Sequence, residues 1–161
     1  MAGKGALSRE WAGMATWPYY LFAVAAGAML PFQFGINSVL ARYVDGAARA
    51  SLVSFVVGTL ALLLAVLVYF RGMPSGDKLA AGPWWVWVGG ILGAFYVLGS
   101  VVTAPKLGAA TLVALILAGQ AAASLTVDHF GLVGFDENPL TAGRLLGIGL
   151  VALGVALVRI F

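Results

Sequence analysis

The chain has 161 residues, 62% of them hydrophobic and 9% charged, with a mean hydropathy of +1.02. A water-soluble domain carries roughly a quarter charged residues, so this composition excludes one and makes lipid the solvent. The absence of cysteine excludes disulfides and thiolate metal sites, and a dispersed net charge of +3 is too small for a nucleic-acid partner and reads as membrane-flanking charge.

Residues 1–16 carry Lys4, Arg9 and Glu10 and are expected to fray or to lie along the interface. They are not a cleaved signal peptide, because the apolar run from Trp17 to Leu40 that follows is too long for an h-region. The remaining charges cluster and leave charge-free stretches at 11–41, 50–70, 79–105, 107–127 and 145–158. About 20 apolar residues cross the hydrocarbon layer as a helix, and four stretches meet that outright. The fifth is shorter, but Arg144 and Arg159 at its ends can snorkel. The expectation is an all-α membrane protein with five transmembrane helices near 17–41, 50–70, 84–104, 108–128 and 140–160, forming one domain over 17–161.

Within the first span, Pro31 removes a donor and frees the carbonyl of Gly27. It lies beside Gln33 and Asn37, which share a helix face at i and i+4. The second span has Thr59 at similar depth. AAGPWW breaks the chain before the third span and anchors it at the interface through Trp84, Trp85 and Trp87. Gly89 and Gly93 give that span a smooth face, and Tyr96 lies near its middle. TAPKLG reads as a turn through Pro105 into the fourth span, whose middle holds Gln120 and whose end holds Asp128 and His129. In FDENPLT, Asp136 and Glu137 complement the dipole of the fifth helix, and Pro139 sits near its first turn. GIGLVA in the fifth span matches a dinucleotide fingerprint, but no strand precedes it. Gly143, Gly147 and Gly154 instead provide a surface for close helix packing.

No hydrolase elbow, zinc-protease motif or other catalytic constellation is present, and no cofactor or resident metal is expected. Asp128 and His129 point about 100° apart on a helix. They read as a polar helix end or as coupling or gating residues. Amides in hydrocarbon need either another helix or a polar cavity as partner. Either partner serves for each residue taken singly, while the common depth of Gln33, Tyr96 and Gln120 favours a midplane cavity.

Several ordered motifs resemble the YdcZ-type family of short drug/metabolite transporters. They are Gln33-x-Gly35-x-Asn37-x-x-Leu40-Ala41-Arg42, Ser54-Phe55-x-x-Gly58-Thr59, Pro83-Trp84-Trp85, Gly89-Gly90, Tyr96, Ala104-Pro105-x-Leu107-Gly108-Ala109-Ala110, Gly119-Gln120, Asp128-His129-Phe130-Gly131 and Pro139-Leu140-Thr141-x-x-Arg144-x-x-Gly147. The resemblance covers nearly the whole chain after about residue 20. It implies a half-transporter of the bacterial inner membrane, related to one repeat of the ten-helix EamA-like carriers. The small multidrug resistance proteins, a sister family of similar size, carry a membrane-embedded glutamate in their first helix. Here that helix offers Gln33 and Asn37 and no carboxylate, which argues against cation/proton antiport of that type.

Five helices enclose too little space for a solute site and two gates, so a second copy is expected to complete the transporter. With an odd helix number, two copies mimic an inverted repeat only when oppositely oriented. Lys4, Arg9, Arg71, Lys78 and Arg144 fall on one side, and Arg42, Arg49, Lys106 and Arg159 on the other. That near balance gives almost no orientation bias. The reading is an antiparallel homodimer in contact through Gly147 and Gly154, binding a small polar solute at Gln33, Asn37, Tyr96 and Gln120. Neutral or zwitterionic solutes are favoured over cations. A passive channel and a non-transporting structural subunit are the alternatives.

Overall fold

The computed structural model describes residues 16–69 and 72–161. The expected interfacial segment over 1–16 and the charge at Arg71 therefore fall almost wholly outside the described residues. Five long apolar helices emerge: α1 (Trp17–Tyr43), α2 (Ala47–Tyr69), α4 (Gly89–Leu107), α5 (Ala109–His129) and α6 (Ala142–Ile160), with a short α3 (Gly76–Ala80) between the second and third. Among the described residues there is no strand. Each long helix is long and apolar enough to cross a membrane.

The breaks between helices have local causes. Asp45, at φ 55°, and Gly46, at φ 137°, reverse the chain between α1 and α2. The turn is so tight that α2 begins at Ala47 and carries Arg49 in its first turn, three residues earlier than its charge pattern predicts. Trp84–Val88 forms a 3-10 turn with all three tryptophans exposed, which continues into α4 and fits an interfacial aromatic anchor. Pro105 does not make the turn expected of it. It lies inside α4, which runs on to Leu107, and the chain turns at Gly108 with φ 75° and ψ 162°. Such a conformation is open almost only to glycine.

The α5–α6 connector also departs from expectation. Pro139 precedes α6 rather than opening it, and Thr141 caps the helix by accepting a hydrogen bond from the Arg144 N–H. Asp136 and Glu137 lie before the first turn, where a dipole complement needs them within it.

Helices α1, α2 and α4 pack on one another in a three-helix unit. Its core is Ala50, Val97 and Val101, against which Leu40, Ala41, Val44 and Tyr96 pack. Small side chains at Ala47, Ala50 and Ser51 let α2 approach closely. Gly93 faces the Phe55 ring of α2, which a methyl group there would meet at an ordinary contact distance of 3.6 Å. The α5–α6 hairpin joins this unit only through α5, which touches α1 and α4. Helix α6 packs on α5 alone and buries none of its residues, so most of its surface is uncovered.

Candidate functional site

The site is organised around one turn of α1. Phe34 is 1% exposed and meets Tyr96 of α4 edge to face, with ring centroids 6.0 Å apart. Asn37, one turn further, is 3% exposed and lies three to seven residues before Leu40, Ala41 and Val44, the α1 residues that meet the core. Helical spacing therefore turns Asn37 toward α2 and α4. Two polar atoms of this region, Asn37 Nδ2 and the Tyr96 hydroxyl, are sealed from solvent without a hydrogen-bond partner. Leaving such a group unpaired costs about 1–3 kcal/mol.

Ser51 of α2 and Ser100 of α4 complete the buried polar set on these three helices. Each hydroxyl donates to its own helix, Ser51 to the Ala47 carbonyl at 2.9 Å and Ser100 to the Val97 carbonyl at 2.8 Å. Their oxygens keep lone pairs with which to accept. Sequence reasoning passed over both serines. The available signal was the run of small residues Ala47, Ala50, Ser51 and Ser54 on one stripe of α2.

The four amide and phenol residues expected at the site divide. Asn37 and Tyr96 belong to the buried face of the three-helix unit. Gln33 is half-buried on α1, one turn before Asn37. Gln120 is exposed and lies across Phe34, in a cleft of about 210 Å³ between α1 and α5 that Gly27, Leu30 and Ile116 also line. Thr59 is exposed on the outside of α2. Phe34 thus contacts Tyr96 on one side and walls the Gln120 cleft on the other.

Phe34 also borders a second cleft, of about 250 Å³, with Ser38, Arg42, Pro105 and Ala109. A larger groove of about 630 Å³ adjoins it between α1, α5 and α6. Gly154 lines this groove, and Gly147 lies further along α6 with open space beside it.

Asp128 and His129 lie at the far end of α5, in a clasp that closes the α5–α6 connector. The Asp128 carboxylate pairs with the Arg144 guanidinium at 2.5 Å, and Arg144 also donates to the Asn138 carbonyl at 2.9 Å. The Asn138 N–H returns to the Asp128 carbonyl at 2.7 Å. His129 Nδ1 accepts from the Leu140 N–H at 3.3 Å, which places the ring proton on Nε2. Each residue thus makes its own bond to the connector. Arg144 is the partner that sequence spacing left unassigned.

Against known proteins, residues 18–157 match the family described as "Putative inner membrane exporter, YdcZ". The chain is 32% identical over 141 residues to the inner membrane protein YdcZ of Escherichia coli K12, covering 85% of this chain and 91% of that protein. No solved structure matches it significantly. The chain belongs to the YdcZ family of drug/metabolite transporters, multi-pass proteins of the bacterial inner membrane.

Proposed function

We propose that the protein is a secondary transporter of a small polar metabolite, working as an antiparallel homodimer by alternating access. Substrate contacts come from Gln33, Asn37, Tyr96 and Gln120. The carrying observation is the pair of orphaned polar atoms, Asn37 Nδ2 and the Tyr96 hydroxyl. An amide that only glued helices together would donate to a neighbouring helix. Here the nitrogen has no such acceptor, and a solute bearing a carbonyl, carboxylate or hydroxyl oxygen would supply one.

Incomplete enclosure supports the dimer. The clefts beside Phe34 are open at the seam between the three-helix unit and the hairpin, and α6 has most of its surface uncovered. A second copy, in contact through Gly147 and Gly154 of α6, closes the site and brings an inverted set of the same residues to it. Because each copy has an odd number of spans, the two mimic an inverted repeat only in opposite orientations. Asp128 and His129 act in gating, since they fix the connector through which the hairpin moves as one piece.

The test is a ligand-stability screen on the purified dimer, followed by flux in proteoliposomes. A solute that raises the melting temperature of the native protein and fails to do so for Asn37→Leu identifies both the substrate class and the site. Stabilisation that persists undiminished in Asn37→Leu and Tyr96→Phe places the site elsewhere.

A further inference from the structure

The groove between α1, α5 and α6 has a wholly apolar lining that includes Pro31, Ala110, Val113, Leu117, Gly154 and Val158. It starts at the membrane face where α4 ends, α5 begins and α6 ends, and it reaches inward as far as Pro31 and Leu117. From Ala109 to Leu117 an α-helix rises about 12 Å, close to one leaflet of a hydrocarbon core about 30 Å thick. A transmembrane helix from a second copy needs a groove through both leaflets. Near mid-depth the groove gives way to the Gln120 cleft, with which it shares Val113 and Leu117, so its own wholly apolar length is the reach of one acyl chain.

Basic residues stand at the membrane face where the groove opens. Lys106 lies three residues before Ala109, and Arg159 follows Val158, where Ala109 and Val158 both line the groove. The adjoining cleft shares Pro31 and Ala109 with the groove and is bordered by Ser38 and Arg42, so the two form one furrow. Among the described residues, Arg42, Lys106 and Arg159 form no ion pair. Arg49, the fourth basic residue of this face, is engaged with the Asp45 carbonyl at 2.8 Å.

We infer that this furrow binds an anionic phospholipid, with one acyl chain in the groove and the phosphate headgroup at Arg42, Lys106 and Arg159. Basic residues between transmembrane helices provide the charge that such headgroups seek. A zwitterionic lipid brings a compensating ammonium group and gains little from three cations. The lipid shares Gly154 with the proposed dimer contact, so a partner helix that meets α6 at Gly147 and Gly154 would form one wall of the groove that holds the acyl chain.

The experiment is native mass spectrometry of the delipidated protein in neutral detergent, titrated with dioleoyl phosphatidylglycerol or dioleoyl phosphatidylcholine. Phosphatidylglycerol adducts are expected to persist at concentrations where phosphatidylcholine adducts do not. Lys106→Gln with Arg159→Gln, two exposed positions whose replacement leaves the fold intact by thermal melt, should weaken apparent phosphatidylglycerol affinity roughly thirtyfold. Ala110→Leu, which fills the groove and keeps every charge, should weaken it as well. Equal retention of both lipids, or phosphatidylglycerol binding undiminished in either variant, overturns the inference. The same holds if Ala110→Leu dissociates the dimer with lipid binding unchanged, because the groove then belongs to the second copy.

Discussion

At Asn37 and Tyr96, two polar atoms are sealed away without a hydrogen bond, and deleting each one separates a structural role from a binding role. Tyr96→Phe keeps the ring against Phe34 and removes only the hydroxyl. Thermal stability is expected to hold or to rise by about 1 kcal/mol, because an unpaired buried group is lost, while solute flux falls. Flux at the parental level would place the substrate elsewhere. Phe34 is the opposite case. Its ring is 1% exposed and wedged between Tyr96 and two clefts, so Phe34→Ala should cost about 3 kcal/mol in a melting experiment. A loss under 1 kcal/mol would mean that neighbouring side chains collapse into the space. The two amides of α1 were visible in the sequence because a polar residue in a lipid-soluble span stands out. Ser51 and Ser100 were not, since a hydroxyl bonded back to its own helix is tolerated anywhere in hydrocarbon and carries no pattern.

Helix ends expose a different limit of sequence reading. The spans themselves were legible, because an unpaired charge in hydrocarbon is costly and charges therefore bracket each helix. Where one helix gives way to the next was less so. Pro105 looked like the turn before α5, yet it lies inside α4, where it removes one bond to the Val101 carbonyl without ending the helix, and Gly108 makes the turn instead. Gly108→Val is accordingly expected to destabilise by about 1–3 kcal/mol, measured by thermal melting, whereas Pro105→Ala should be tolerated. The Asp128–Arg144 pair was hidden because its partners are sixteen residues apart and meet only once the connector folds back. Both side chains are 29% exposed, so the bond itself is worth about 1 kcal/mol or less. A double-mutant cycle of Asp128→Asn and Arg144→Gln should return a coupling of that size. Proteolysis of the connector should quicken in each single variant. Additive effects with no change in cleavage would dissolve the clasp as a functional unit.

For the whole molecule, the division into a three-helix unit and a hairpin attached through α5 would give the proposed alternating access two bodies to move. The open seam between them is where the proposed second copy would complete the site. Sequence could place the spans but not this division, because an apolar face toward lipid and one toward a neighbouring helix have the same composition. On the proposed topology the nine basic residues split five to four between the two membrane faces, which would leave insertion with almost no preferred direction. Adding two or three lysines to the loops of one face should force a single orientation. The most direct test of the account is transport by two such variants, biased in opposite senses, expressed singly and together. Each alone is predicted to reach the membrane folded and inactive, and co-expression to restore flux. Full flux from either variant alone would contradict the antiparallel dimer.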